Sequence, residues 1–454
     1  MASPVNLTVI GAGSATFSVG VIRDICLQES LSGSKVTLMD IDAHRLQPMQ
    51  EFGQRYAAEL GADVTFNATT DREIALRGAD FVLNSAQYGG HTFVEDFREW
   101  SEQNGYYRGF GLLACLNIRL MLDVARDMER LCPQAWLIQA GNPVFEGCTA
   151  TTRETAIKVV GICHGHLGYH RIAEVLGLEV ARVRAQAIGF NHFIWLTHFE
   201  YEGRDALPVL NEWIEQKSQA YWRDHRPHFM DSQMSPAAVA LYRLAGLFPV
   251  GDTVRGGGWW FHTDLATKKR WYGEEHGGFD SEIGWGRYLA GLDQHVARIH
   301  SAVADKSTRL TDVFPPGSPS EEHFPLVDAI VNDQRCELQV NVPNRGAIEG
   351  IPDDVVVEVP ATCSIRGVQP YQVGKLPDKL MVNWMWPRLN RAERLISLAT
   401  DPDASTLLAM ILDDHRTSSY EQAVRFMRAA LERPGFTELK AEMERNGGIP
   451  EYDS

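Results

Sequence analysis

Short apolar, β-rich runs alternate with helical patterns over the first 195 residues, and that alternation constrains the fold more than any single motif. The runs are Asn6 to Ile10, Lys35 to Asp40, Asp80 to Ser85, Ala135 to Ala140, Ala156 to Ile162 and Val183 to Gly189. Between them lie stretches such as Ile118 to Leu131, where Leu120, Val124, Met128 and Leu131 recur near helical spacing. Strands and helices in this order make a parallel sheet covered by helices on both faces. The expected class is α/β, with residues 1–195 forming a Rossmann-like doubly wound parallel sheet.

From about residue 196 the order is mixed. Helical segments near Leu210 to Trp222 and Pro236 to Ala245 precede a Gly- and Trp-rich stretch, 255–287. A strand pair follows, Glu337 to Val342 and Val355 to Val359, joined through PNRGAIEGIPDD, whose Pro, Asn, Gly and Asp residues favour turns. Arg388 to Leu439 reads as a helical tail, and PPGSPSEEH at 315–323 as an exposed loop. Residues 196–454 are therefore expected as a second, mixed α+β domain that caps the first.

A chain of 454 residues with 44% hydrophobic content can bury a large core. Its 43 basic and 59 acidic residues leave a net −16, which repels phosphate backbones and anionic membrane surfaces, so neither nucleic acid nor membrane is an expected partner. No apolar run approaches the roughly 20 residues of a spanning helix, and the start MASPVNLTVIGAG enters a strand pattern rather than a signal peptide. A cytoplasmic protein is expected. The cysteines, at 26, 115, 132, 148, 163, 336 and 363, are thinly scattered and read as reduced thiols.

Gly11-Ala12-Gly13-Ser14 directly follows the first strand and precedes a helical pattern. Two glycines there let the backbone approach a pyrophosphate, and the helix N-terminus offers unpaired amides. Thr16 replaces the third glycine of the usual fingerprint. Asp40, at the end of the second strand, is the kind of acid that hydrogen-bonds a ribose hydroxyl and disfavours a 2′-phosphate, so NAD is expected over NADP. The plain alternative is a glycine turn joining strand to helix, with Asp40 capping the DIDAHR segment.

Cys163-His164-Gly165-His166 ends one strand and Gly189-Phe190-Asn191-His192 the next, so both should emerge at the carboxyl edge of the sheet. Cys163 with His192 supplies two metal ligands, leaving room for substrate hydroxyls and water as an open catalytic site requires. On spacing alone, a small buried cysteine and a packing histidine are equally good descriptions. Asn142, in Gly141-Asn142-Pro143, can bond a sugar hydroxyl or simply mark a turn. Asp252 and Arg255, in Gly251-Asp252-Thr253-Val254-Arg255, offer a base and a guanidinium fork, or an ordinary surface ion pair.

Taken together these residues resemble glycoside hydrolase family four, in particular its α-glucosidase- and α-galactosidase-like branch, over nearly the whole chain. The segments that carry the resemblance include VIGAGSATFS, VTLMDID, GYYRG, GNPVFEG, GICHGHLG, GFNHFIWL, GDTVR and GIPDDVVVEVPA. The resemblance implies a glycosidase in which tightly bound NAD oxidises the sugar at C3, a base removes the acidified C2 hydrogen, the leaving group departs by elimination, and water adds before the ketone is reduced back. It implies Mn²⁺ or another divalent metal on Cys163 and His192, a general acid at His164, a base at Asp252, and substrate contacts from Asn142 and Arg255. It also implies a homodimer or homotetramer, with the second domain serving substrate binding and assembly. Such NAD-dependent glycosidases depart from the two-carboxylate scheme.

In the family's phospho-sugar branches the residue after the cysteine resembles Asn or Asp, so His164 points to a non-phosphorylated α-glycoside. One departure concerns the sugar. After Tyr106-Tyr107-Arg108-Gly109 the α-glucosidases carry a longer loop with a substrate-contacting acid, whereas here no carboxylate follows until Asp123. With Arg255, Trp259, Trp260 and His262 nearby, the expected sugar is of the glucose or galactose type or an acidic analogue such as a uronic acid or sulfoquinovose. The competing expectations are an NAD-dependent dehydrogenase of sugars or hydroxy acids with net NADH production, and a non-enzymatic NAD-binding regulator.

Overall fold

Strand propensity and burial produce the expected strands nearly where the sequence places them. In the computed structural model, which describes residues 2–224, 233–257, 263–264, 266–267, 271, 282–317 and 322–448, they are β1 (Asn6–Ile10), β2 (Ser34–Met39), β4 (Phe81–Asn84), β5 (Trp136–Gln139) and β6 (Lys158–Gly161). One strand, β3 (Val64–Thr69), was not expected. Only Phe66 of its six residues is buried, so an edge strand of this kind lacks the apolar run that announces the others. All six pair in parallel in the order β3-β2-β1-β4-β5-β6. Helices α1 (Ala15–Cys26), α2 (Ala43–Leu60), α3 (Arg72–Leu76), α4 (Gly90–Gln103), α5 (Leu113–Leu131) and α6 (Val144–Glu154) make the crossovers. The strand order reverses between β1 and β4, which opens a crevice beyond their carboxyl ends.

The strand expected to continue this parallel sheet does something else. β7 (Val183–Phe190) turns back within two residues into β8 (Phe193–Tyr201), and the two pair antiparallel. A second hairpin, β11 (Cys336–Pro343) and β12 (Val356–Ser364), enters between β6 and β7, antiparallel to both neighbours. With β9 (Arg204–Asp205), β10 (Phe248–Val250) and β13 (Gly367–Pro370) the sheet reads β10-β8-β7-β12-β11-β6 and onward, continuous across residue 195. A two-residue link cannot cross over to a parallel neighbour, which takes a dozen residues or more.

Elsewhere, Leu210 to Trp222 divides into helices Leu207–Gln216 and Ser218–Asp224, while Pro236–Ala245 forms as expected behind its Ser235 cap. The helical tail comprises Trp386–Thr400, Ala404–Leu412, Tyr420–Leu431 and Thr437–Arg445. It folds back on the first half: Leu395, Leu407, Phe426 and Met427 share a core with Phe97, Tyr106, Phe110, Leu112 and Leu116. Pro315, Pro316 and Gly317 are exposed, but His323, the end of the expected loop, is buried at the start of a helix; 318–321 lie outside the described residues. No helix among the described residues is long and apolar enough to cross a membrane.

Candidate active site

At the β1 end of the crevice, the main chain does the work. Gly11 has φ +85°, and a β-carbon there would lie 2.7 Å from the Ala86 nitrogen at the end of β4. A β-carbon on Gly13 would lie 2.7 Å from Asp40 Oδ2. Only glycine lets the loop pass so close to its neighbours. The Gly13 amide donates to Asp40 Oδ2 at 2.8 Å and the Asp42 amide to Asp40 Oδ1 at 3.0 Å, so Asp40 braces the loop while its carboxylate keeps further acceptor capacity. The cap of α2 is Asp42, which accepts from His44 and Arg45, and not Asp40. Ser14 sits at the N-cap of α1 without a side-chain cap bond, which leaves the first-turn amides of α1 to be met from outside. A glycine loop packed this tightly against its neighbours, directly before a helix N-terminus, suits a pyrophosphate.

At the β6 end, side chains do the work. Gly161, Asn341, Glu358 and Gly189 pair in one row across β6, β11, β12 and β7. Gly161 is the last residue of β6 and Gly189 the last but one of β7, so both strands end at this shared row although they run in opposite directions. The Asn191-His192 turn therefore faces Cys163, and Cys163 Sγ lies 3.4 Å from His192 Nε2. His192 Nδ1 lies 3.3 Å from Asp252 Oδ2, which lies 3.3 Å from Arg255 Nη1. Sulfur and nitrogen ligands on one cation, at bond lengths near 2.3 and 2.1 Å, sit about 3.1–3.6 Å apart. The observed separation fits that, and a carboxylate on Nδ1 orients a histidine whose Nε2 binds metal. Among the described residues no group of three or more His, Cys, Asp or Glu could hold a metal ion.

The loops behind these groups are tied together. Thr253 Oγ1 accepts the Ile194 amide at 2.7 Å, joining the Asp252 loop to the hairpin. Gln233 donates to the Gly251 carbonyl and accepts from its amide, at 2.8 and 3.1 Å. Gly251, at φ +61°, packs where a β-carbon would meet the Gly165 carbonyl at 2.7 Å. His166 Nδ1 lies 3.2 Å from the Cys163 carbonyl. His164 is exposed at the head of a turn, Gly165–Leu167. Asn142, exposed beyond β5, makes no side-chain hydrogen bond among the described residues. Its loop is latched by Gln139, which donates to the Gly141 carbonyl and accepts from Asn84. Trp259, Trp260 and His262 lie outside the described residues.

Burial pushes the Cys163 thiol up to about 11, and the Glu358 charge adds to this, while Asn191 and His164 oppose it. A divalent cation works the other way, since it binds the thiolate. Glu358 itself was not anticipated. It is 1% exposed, and burial lifts its carboxyl to about 7 against the pull of a hydrogen bond from Asn191. The available signal was one carboxylate inside the valine run VVVEVP.

Two family models match the chain: family 4 glycosyl hydrolase over residues 6–178, and family 4 glycosyl hydrolase C-terminal domain over 187–417. The chain is 27% identical over 436 residues to an α-galactosidase of Bacillus subtilis, covering 91% of this chain and 94% of that protein. It is 25% identical over 433 residues to an α-galacturonidase of Thermoanaerobacter italicus, covering 90% and 91%. With an α-glucosidase of Erwinia rhapontici it shares 28% over 405 residues, covering 81% and 84%. A 6-phospho-α-glucosidase from gut microorganisms, solved in complex with NAD and Mn²⁺, superposes with TM-score 0.77 at 21% identity over 96% of this chain and 99% of that one. A 6-phospho-β-glucosidase from Thermotoga maritima with manganese, NAD⁺ and glucose-6-phosphate gives 0.73 at 17% over 94% and 98%. These two likenesses speak to the fold.

Proposed function

The chain belongs to family 4 of the glycosyl hydrolases, and on that premise we propose that it hydrolyses a non-phosphorylated α-glycoside with NAD and a divalent metal such as Mn²⁺ as cofactors. The observation that carries this is the line from Cys163 through His192 and Asp252 to Arg255 at the carboxyl edge of β6. Cys163 and His192 are the metal ligands, and Gly11, Gly13, Ser14 and Asp40 hold the dinucleotide. When bound, the dinucleotide supplies reversible oxidation at C3 of the sugar and the metal supplies Lewis acidity that loosens the C2 hydrogen.

The chain's own groups then move protons and hold the sugar. Asp252 takes the C2 proton; its Oδ2 is anchored by His192 and Arg255, which leaves Oδ1 for the substrate. His164 protonates the departing glycosidic oxygen from its exposed position at the loop head. Asn142 bonds a ring hydroxyl, and Arg255 holds both Asp252 and the sugar. The segment after Gly109 contributes no acid, because Phe110, Leu112, Cys115 and Leu116 are spent on the core shared with the tail helices. Within the glucose- and galactose-type sugars and their acidic analogues, that favours an acidic one such as a uronic acid or sulfoquinovose, and exclusive α-glucosidase activity would refute it.

Turnover in deuterated water should place deuterium at C2 of the released sugar, with no steady rise in NADH absorbance. Cleavage at full rate by protein stripped of nicotinamide would refute the proposal, and accumulating NADH without release of a leaving group would mark a dehydrogenase. Parallel assays of p-nitrophenyl α-glucoside, α-galactoside, α-glucuronide and α-sulfoquinovoside assign the sugar.

A further inference from the structure

His192 occupies a two-residue turn with φ +58°, a left-handed conformation uncommon for a residue with a β-carbon. Three contacts hold the turn in place. Thr253 Oγ1 takes the Ile194 amide on one side. Phe190 stacks on Phe145 with ring centroids 4.3 Å apart. Beneath the turn, Asn191 Nδ2 donates to Glu358 Oε2 at 2.9 Å.

Glu358 is the unexpected member. It stands in the middle of β12, opposite Gly189 on one side and Asn341 on the other. The Asn344 amide donates to the Val355 carbonyl at 2.8 Å, which sets the phase of the ladder and makes Asn341 and Glu358 a non-hydrogen-bonded pair with closely approaching side chains. Yet Glu358 Oε1 and Asn341 Oδ1 are both buried without a hydrogen-bond partner among the described residues. A buried acid that satisfies only one oxygen destabilises a strand that valine would serve better. Asn191, which donates to it at 2.9 Å, is the residue that precedes the histidine, and Gln339 and Asn341 stand beside it.

We propose that Glu358 is a positioning residue for the metal-bearing turn: through Asn191 it imposes the left-handed conformation of His192, and so the direction in which Nε2 is presented beside Cys163. This rests on Cys163 and His192 being the metal ligands.

The test is Mn²⁺ titration of the chelator-treated, NAD-loaded protein, followed by the electron paramagnetic resonance of free Mn²⁺, with dinucleotide affinity measured in parallel. Glu358→Ala should weaken Mn²⁺ binding about 10- to 100-fold. Glu358→Gln, which keeps an oxygen facing Asn191, should stay within about threefold of the parent, and dinucleotide affinity should hold in both. Asn191→Ala removes the other half of the contact and should match Glu358→Ala, so a poorly folding alanine variant at 358 leaves the proposal testable. Parent-like Mn²⁺ affinity in both alanine variants overturns it, as does an equal loss of Mn²⁺ and dinucleotide affinity. Parent-like affinity in Cys163→Ser instead refutes the ligand assignment itself.

Discussion

The two ends of the crevice solve the same problem by opposite means. Beyond β1, the site is main chain: Gly11 and Gly13 let the loop press against Ala86 and Asp40, and Asp40 braces it through the Gly13 amide. Beyond β6, the site is a line of side chains from Cys163 to Arg255, drawn from three separate parts of the chain. The first kind can be written in a few consecutive residues. The second exists only after four strands have found their neighbours.

If that contrast is right, substitutions at the two ends should separate two affinities. The largest effect is expected for Cys163→Ser, which should lower kcat/KM at least about 1000-fold, roughly 4 kcal/mol, and abolish tight Mn²⁺ binding. Dinucleotide affinity, read by protein fluorescence, should stay within a factor of three; a matching loss there would erase the distinction between the ends.

The next effect concerns pH. The carboxyl of Glu358 is raised from 4.5 to about 7, so the fold holds its proton after the unfolded chain has released its own. Between these values the native state binds more protons than the unfolded state, and stability falls as pH rises, by up to about 3 kcal/mol, then levels off above 7. Glu358→Gln should remove that decline. Urea unfolding of chelator-treated protein from pH 4.5 to 8 checks it, and parallel stability curves for the two proteins would contradict it.

Gly11→Ala should act at the other end only. A β-carbon at φ +85°, 2.7 Å from the Ala86 nitrogen, should cost about 1–3 kcal/mol, seen as dinucleotide affinity reduced about 10- to 100-fold with Mn²⁺ affinity retained. Smallest of all, Asp42→Ala removes the α2 cap and should cost about 1 kcal/mol of stability in thermal unfolding, with both affinities intact. A large loss of dinucleotide affinity there would mean that α2 shapes the site.

The α/β class, the glycine loop after β1 and the strand ends that carry Cys163 and His192 were legible in the sequence, because each depends on burial periodicity or on residues a few positions apart. The likeness to family 4 was legible for the same reason, carried by short contiguous segments. Only the tertiary structure decided that β7 runs antiparallel, that β11 and β12 enter beside β6, and that Glu358 lies beneath Asn191. An apolar run states that a strand is to be buried, and nothing in it states beside which other strand, or in which direction. That choice belongs to pairings between residues up to 180 positions apart, such as Asn341 with Gly161, whose free energy exists only once the whole sheet has assembled.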